Sequence, residues 1–189
     1  MIFGSNNKEK LREVRSIFKG VEITALSDMN LEVEIEEDQS NFFENALKKA
    51  KEIYEVCKEP VIADDSGLCI DVLGGWPGVM TNRFLDANWD YKNDYIIRKI
   101  SDYDDKTCEV VCNIVYYDGK DTVVGKGSIT GKIVSPRGDN GFGFDPIVEL
   151  DNGKTLAELT PQEKNKCSAR YLAIADLYRK LIVYGKIKK

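Results

Sequence analysis

The sequence predicts a mixed-sheet α/β fold, because short strands alternate with amphipathic helices and a hairpin lies in the middle of the chain. Helical spacing of apolar residues over about 8–18 and 42–57 predicts two helices, each next to a short apolar strand at 1–3 or 61–63. Two further strands, at 108–116 and 121–129, flank Asp118-Gly119, a dipeptide typical of hairpin turns. No linker or repeat divides residues 1–189, so a single domain is expected.

Composition limits the classes of function. The chain has 189 residues, 42% hydrophobic and 31% charged, which suffices for a sizeable core. The net charge of −5 does not indicate nucleic-acid binding, and no run approaches the ~20 apolar residues that span a membrane. Five cysteines without a CxxC spacing indicate reduced thiols in a cytoplasmic protein. The absence of histidine assigns acid–base chemistry to Asp, Glu, Lys or Tyr.

The first strand leads through the polar turn 4–7 into the first helix, with Lys10 in its first turn. Backbone N–H groups at a helix start attract anions, and a lysine adds positive charge, so this segment could cradle a phosphate. An ordinary strand-to-helix turn with a surface lysine is the alternative. Alternating residues at 21–26 and 31–35 then suggest two more strands.

Two adjacent carboxylates, Asp64 and Asp65, follow the apolar run 61–63 and precede Ser66-Gly67. We expect the strand to end there, because strands disfavour Asp, and ligands bind at the carboxyl ends of strands in α/β sheets. Hard oxygen ligands of this kind suit Mg²⁺. A solvated turn in which Asp acts as a cap explains the same residues.

A second acidic segment, Glu36-Glu37-Asp38, precedes the helix that leads to Asp64 and Asp65. Asn41 with Glu44 resembles a capping box at the start of that helix. A helix packed back on the sheet could bring both acid pairs to one edge, which is a geometric hypothesis.

The second half of the chain continues the alternation of strands, helices and turns. Further strands are expected at 68–73 and 147–150, helices at about 89–100 and through 171–182, and a frayed tail at 186–189. Thr160-Pro161 with Glu163 is a strong helix start. The glycine-rich loop 135–146 contains Phe142 and Asp145, which could stack on a base and read its edge, whereas a buried loop phenylalanine is the alternative.

Six motifs in order resemble the inosine triphosphate pyrophosphatase family, which hydrolyses deaminated purine nucleoside triphosphates. The resemblance covers nearly the whole chain, and six motifs in the same order are much more specific than any one of them. The matching segments are Ser5-Asn6-Asn7 with Lys10, Glu36-Glu37 before Phe42-Phe43-Glu44-Asn45-Ala46, Ala63-Asp64-Asp65-Ser66-Gly67, Gly74-Gly75-Trp76-Pro77-Gly78, Gly141-Phe142-Gly143-Phe144-Asp145-Pro146, and Glu163-Lys164 through Ser168 and Arg170.

The resemblance implies an elongated mixed β-sheet flanked by helices, with two lobes, a central substrate cleft and a homodimeric assembly. It implies Mg²⁺-dependent cleavage between the α- and β-phosphates of ITP, dITP or XTP. Metal positions would be Glu36 and Asp65, and catalytic positions Asp65, Asp64 and Lys10. The resemblance implies that Asp65 accepts the proton, whereas the sequence by itself leaves Asp64 and Asp65 open for this role. The resemblance implies phosphate contacts by Ser5, Asn6, Asn7, Lys10 and Lys164, and a substrate contact by Ser66. It implies a base-binding loop formed by Phe142, Gly143, Phe144 and Asp145, with Phe142 stacking on the base, and an Arg170 that reads the 6-oxo group of the purine.

Two positions depart from the family pattern. Ala169 stands where the family usually has His, and Asn6 where it commonly has Gly. A missing donor to the purine oxygen could weaken discrimination against adenine, so a broader base preference is the first alternative. A non-catalytic nucleotide sensor is a second alternative, disfavoured because a binder has no need of the acidic residues.

Overall fold

The computed structural model describes residues 1–29, 33 and 35–188 of the chain. Within them, the strands are β1 (Ile2–Phe3), β2 (Thr24–Ala25), β3 (Val61–Ile70), β4 (Trp76–Pro77), β5 (Thr107–Tyr117), β6 (Thr122–Ile133) and β7 (Val148–Glu149). The α-helices are α1 (Lys8–Ile17), α2 (Phe42–Cys57), α3 (Trp89–Lys99), α4 (Pro161–Cys167) and α5 (Ala169–Val183). Short 3₁₀ turns occupy Leu26–Met29, Asp71–Leu73, Gly78–Met80, Asp145–Ile147 and Leu156–Glu158.

The sheet is mixed, which confirms the predicted fold class. Its strands follow the order β2-β1-β3-β5-β6-β7, and β4 pairs with β3. β1 is parallel to both β2 and β3, with Ile2 opposite Thr24 and Val61, whereas β4 and β7 pair antiparallel with their neighbours. The consecutive strands β5 and β6 are neighbours in the sheet, as the hairpin prediction requires.

The chain divides into two compact units, which are described separately. The first unit contains Met1–Asp65, Cys112–Gly127 and Ala169–Lys189, and the second contains Ser66–Val111 and Ser128–Ser168. No helix in the described part of the chain has the length and apolar character needed to cross a bilayer.

Helix α2 covers one face of β3 in the first unit. Side chains alternate along a strand, so Val61, Ala63 and Asp65 share a face. Both apolar members of that face belong to a buried cluster with α2, whose members are Ile2, Leu26, Ala46, Ala50, Ile53, Val61, Ala63 and Val115. Gly4 directly follows β1, and a Cβ atom there would stand 2.6 Å from Ile53 Cδ1, so a larger residue would require the Ile53 side chain to shift.

Helices α1 and α5 pack together, and β6 lies against α5. The rings of Phe18 and Tyr178 meet edge to face with centroids 5.2 Å apart. A Cβ on Gly125 or on Gly127 would lie 2.2 Å from a backbone oxygen of α5, so these two glycines allow α5 to contact the strand backbone. Asp64, which alternates with Asp65, faces α1 and α5 through its ion pairs with Lys10 and Arg170.

Four local expectations were wrong. β3 continues through Asp64-Asp65-Ser66-Gly67 to Ile70, so these residues form neither a turn nor the end of a strand. The separate strand expected at 68–73 is instead the last part of β3 up to Ile70, followed by the 3₁₀ turn Asp71–Leu73. The predicted strand at 21–26 is reduced to Thr24–Ala25, because Arg15 donates two hydrogen bonds to the carbonyl of Ile23. Lys186 is not frayed, since its ammonium pairs with Asp118 and Asp121. The strand expected at 31–35 falls largely outside the described residues.

Candidate active site

The first unit contains a group of charged and amide side chains around β3, here called the β3 cluster. Its members are Lys10, Glu13, Glu37, Asn45, Lys49, Asp64, Asp65 and Arg170. Lys10, Asp64, Asp65 and Arg170 were predicted as site residues, whereas the roles of Glu13, Lys49 and Asn45 were missed. Lys49 and Asn45 are four residues apart on α2, so helical spacing from Asn45 could have found the lysine.

Lys10 reaches the cluster because the turn after β1 starts α1 in one defined way. Asn7 caps the helix, and its Oδ1 accepts hydrogen bonds from the backbone N–H groups of Glu9 at 2.9 Å and Lys10 at 3.2 Å. Ser5 Oγ accepts from the backbone of Asn7, and Asn6 is exposed. Two of the N–H groups expected to cradle a phosphate therefore bind Asn7 instead, and the positive charge of Lys10 remains.

Asp64 is fixed as a charged carboxylate. Its Oδ2 accepts from Lys10 Nζ at 3.0 Å and from Arg170 Nε at 3.2 Å. Burial alone would raise the pKa of Asp64, but the positive charges of Lys10, Arg170 and Lys49 outweigh burial and hold that pKa well below its usual value. Asp64 Oδ1 is buried and has no hydrogen-bond partner among the described residues.

Arg170 completes this charged face of β3. Its Nη1 donates to Glu13 at 3.1 Å, and its side chain is only 11% exposed. Burial by itself would lower the pKa of Arg170, but the negative charges of Asp64 and Glu13 outweigh burial and raise that pKa above its usual value, so the guanidinium stays charged. The resemblance implies that Arg170 reads the purine oxygen, whereas the structure shows it bound to two carboxylates. The neighbouring Ala169 is buried.

Asp65 lies on the opposite face of β3 and has a different environment. Asn45 Nδ2 donates to Asp65 Oδ2 at 2.9 Å. Burial, assisted by the negative charges of Glu37 and Asp64, raises the pKa of Asp65 to about 6 although Lys49 and Asn45 oppose the rise. The two adjacent aspartates therefore lie on opposite faces of β3, so only Asp65 of this pair meets the acidic segment 36–38, through Glu37, and the pKa values of the two aspartates are shifted in opposite directions.

The acidic segment before α2 contributes Glu37 to the face of Asp65. Glu37 pairs with Lys49 at 2.5 Å, and the charges of Asp64, Glu37 and Asp65 raise the pKa of Lys49 despite its burial. Glu36, the predicted metal ligand, has an exposed side chain, and its carbonyl accepts from Lys48 at 2.8 Å. Within the described part of the chain the Glu36 carboxylate forms no hydrogen bond or ion pair with Asp65, so its metal role stays a prediction.

The donor set on this face is compatible with Mg²⁺. In the described part of the chain, no group of three or more Asp, Glu or Cys side chains is arranged to hold a metal ion. Mg²⁺ commonly uses only one or two carboxylates and takes its remaining ligands from water and substrate phosphates. The carboxylates of Asp65 and Glu37 are hard oxygen ligands of this kind, and Glu37 is close enough for its charge to raise the pKa of Asp65.

The second unit carries the predicted base-binding loop, and Asp145 holds it in shape. Its Oδ2 accepts from the backbone of Phe142 at 2.7 Å and from Lys164 at 2.6 Å. Gly141 has a φ of +80°, and a Cβ there would lie 2.1 Å from the same oxygen, so the loop requires glycine. Asp145 thus organises the loop, in addition to any contact with a base.

Lys164 lies beside Phe142 in the second unit. The lysine follows the capping box of Thr160 and Glu163, and its Nζ stands 4.6 Å from the centroid of the half-buried Phe142 ring. Its predicted contact is with phosphate, whereas the structure pairs it with Asp145. Ser66 also belongs to this unit, within β3.

Helix α3 supports the other half of the loop. The rings of Trp89 and Phe144 meet edge to face with centroids 6.1 Å apart, and Asn93 Nδ2 donates to the carbonyl of Gly143 at 3.0 Å. Asn93 is buried, and its Oδ1 has no partner among the described residues. Asn93 was not among the predicted site residues, although its spacing of four from Trp89 on α3 was the available signal.

Known proteins resemble this chain over nearly its whole length. A family model described as the Ham1 family matches residues 1–180. A dITP/XTP pyrophosphatase from Halalkalibacterium halodurans is 39% identical over 185 residues, covering 93% of this chain and 95% of the relative. A protein of the same name from Aquifex aeolicus is 34% identical over 190 residues, covering 94% of each.

Solved structures agree over the same length. The Staphylococcus aureus Ham1 protein superposes with a TM-score of 0.87 at 30% identity and covers 98% of both chains. A HAM1 protein from Coxiella burnetii gives a TM-score of 0.88 at 31% identity, again with 98% of both chains covered.

Proposed function

Because this chain belongs to the Ham1 family, we propose that it hydrolyses the deaminated purine nucleoside triphosphates ITP, dITP and XTP to the monophosphate and pyrophosphate. The family resemblance drawn from the six motifs is confirmed. The chain is a nucleoside triphosphate pyrophosphatase, as its relatives from Aquifex aeolicus and Halalkalibacterium halodurans are named. Its cellular task would be to remove these nucleotides from the pool.

The environment of Asp65 is the observation that carries the proposed mechanism. Hydrolysis of the anhydride between the α- and β-phosphates adds water, and one proton of that water must be accepted. A general base works best when its pKa lies near the working pH, and burial raises the pKa of Asp65 to about 6 when no metal is bound. Asp64 is held ionised by three cations and is a much weaker base. We therefore assign the proton acceptor to Asp65.

The cations of the β3 cluster suit a substrate that carries several negative charges. Lys10 and Lys49 approach β3 from α1 and α2, and Lys10 lies in the first turn of its helix, where the helix dipole also favours anions. Asp65, with an acidic residue of the 36–37 segment, would hold Mg²⁺. When bound, Mg²⁺ neutralises charge on the polyphosphate.

The loop of the second unit suits recognition of a base. Phe142 offers an aromatic ring on a glycine-bounded loop, and base–aromatic stacking contributes ~1–3 kcal/mol in nucleic-acid complexes. Asp145, Lys164 and Asn93 fix the loop's conformation through the contacts described above. Because Ala169 lacks the donor usual in the family, a broad base preference is the main alternative to strict selection of 6-oxopurines.

Product analysis tests this proposal directly. Purified protein is incubated with ITP and Mg²⁺, and the expected products are IMP and pyrophosphate. Release of IDP and inorganic phosphate would refute the proposed bond specificity, and equal rates on ATP and ITP would refute base selection. An Asp65→Asn variant that binds ITP without turnover would support catalysis by Asp65, whereas native protein that binds without turnover would indicate a sensor.

Location and assembly follow the same proposal. Five cysteines without disulfides are compatible with a cytoplasmic enzyme. A homodimer, predicted from the family resemblance, is testable by light scattering of the purified chain.

A further inference from the structure

Asn45 is fully buried in the fourth position of α2 and connects two parts of the β3 cluster. Its Oδ1 accepts a hydrogen bond from the backbone N–H of Gln39 at 2.9 Å, and its Nδ2 donates to Asp65 Oδ2 at 2.9 Å. One amide group thus joins the acidic segment before α2 to the carboxylate on β3.

The orientation of this amide follows from its partners. The N–H of Gln39 can only donate, so the atom of Asn45 that faces it must be the oxygen. The NH₂ group must then face Asp65, where it can bond only to an oxygen that accepts. Asn45 therefore holds Asp65 in one orientation and stabilises its carboxylate form.

We propose that Asn45 is a positioning residue for catalysis, which holds the Asp65 carboxylate in register with the acidic segment 36–39. This inference depends on the proposed function, in which Asp65 accepts the proton from water. Positioning requires a rigid support, and α2 provides it, because Lys48 and Lys49 from the same helix also bind that segment at Glu36, Asp38 and Glu37.

Two substitutions separate positioning from simple structural support. Asn45→Asp can still accept the hydrogen bond from Gln39 but cannot donate to Asp65 when ionised, and it places a second carboxylate beside Asp65. Asn45→Ala removes both hydrogen bonds. Loss of an orienting partner typically reduces activity by about 10- to 100-fold. We expect a kcat loss of this size in Asn45→Ala and at least as large in Asn45→Asp, with KM for ITP changed less than about threefold.

Asn41→Ala is the matched control on the same helix. Asn41 caps α2 through a 2.9 Å hydrogen bond from the backbone of Glu44, and in the described part of the chain it forms no hydrogen bond with Asp65. Its loss should lower stability by about 1 kcal/mol and leave kcat within about twofold. Each kcat is normalised to the folded fraction from circular dichroism. Native-like kcat in Asn45→Asp, or an equal loss in Asn41→Ala, would overturn the proposal.

A measurement without substrate tests the geometry on its own. In ¹H–¹⁵N spectra of the native chain, the side-chain NH₂ of Asn45 should exchange slowly with solvent, and Asp65→Ala should accelerate this exchange at least about tenfold. Unchanged exchange would overturn the positioning contact. If native protein fails to release pyrophosphate from ITP, the proposed function fails, whereas native activity together with native-like Asn45→Asp defeats only this inference.

Discussion

Replacement of Asp65 by Asn should stabilise the folded protein while it abolishes turnover. The ordinary pKa of an aspartate is 3.8, and burial raises that of Asp65 to about 6. This difference corresponds to about 3 kcal/mol of unfavourable folding free energy for the ionised group at neutral pH. An uncharged Asn has no such cost, and its oxygen can still accept the hydrogen bond from Asn45.

The pH dependence has a definite sign. Between pH 4 and pH 6 the native state binds more protons at Asp65 than the unfolded state does, so stability falls as the pH rises through this range and then levels off. The advantage of Asp65→Asn over wild type should therefore be near zero at pH 4 and grow to as much as about 3 kcal/mol at pH 7.5.

Urea unfolding at several pH values, in EDTA to remove divalent ions, measures this difference. A difference that does not change with pH would show that the pKa of Asp65 is not raised and would refute the reasoning. With Mg²⁺ and ITP, Asp65→Asn should lose about 100- to 10,000-fold in kcat.

Three other predictions concern the metal, the buried ion pairs and the loop. We expect Glu36→Gln to raise the Mg²⁺ concentration for half-maximal ITP hydrolysis by more than about tenfold and Glu37→Gln to raise it less; the reverse ranking would transfer the ligand role to Glu37. Arg170→Met leaves the buried Glu13 without its ion-pair partner and leaves Asp64 with Lys10 alone, so urea unfolding should show a loss of about 3–5 kcal/mol, and a loss below about 1 would contradict the assigned pairing. Gly141→Ala should raise KM for ITP more than Gly153→Ala does, because both glycines have positive φ but only the first meets a side chain; equal effects would show that strain alone matters.

Elements with strong local signals could be predicted from the sequence. Helix α2 begins after Asn41, whose side chain caps it, and α4 begins with the complete capping box of Thr160 and Glu163. The Asp118-Gly119 dipeptide likewise predicts the hairpin, and in the structure Asp118 Oδ1 accepts a hydrogen bond from the backbone of Asp121. These features depend on residues within a few positions of each other, which a single sequence displays directly.

Strand β3 could not be predicted in full, because its stability depends on distant residues. Aspartates disfavour a strand, so the expected strand stopped at Asp64. In the structure, Lys10 and Arg170, 54 and 106 residues away, neutralise Asp64, and Asn45, 20 residues away, binds Asp65. These partners offset the cost of placing two carboxylates in a strand. No residue close to Asp64 and Asp65 in the sequence indicates that such partners exist.

The predicted site residues came largely from motifs, and the motifs did not specify their contacts. Lys164 and Arg170 were both assigned to substrate, yet each forms ion pairs with carboxylates of its own unit. Lys49 went unnoticed because a lysine on an amphipathic helix resembles an ordinary surface residue. Its burial beside Glu37 becomes visible only in three dimensions.

Alternation along β3 has a consequence for how this protein can change. A single peptide bond separates two acids that bind different helices: Asp64 pairs with Lys10 of α1 and Arg170 of α5, and Asp65 binds Asn45 of α2, while Lys49 of α2 influences the pKa of both. Anion binding beside Asp64 and the proposed proton transfer at Asp65 can thus evolve largely by separate mutations. An engineer could retune the working pH through α2 alone.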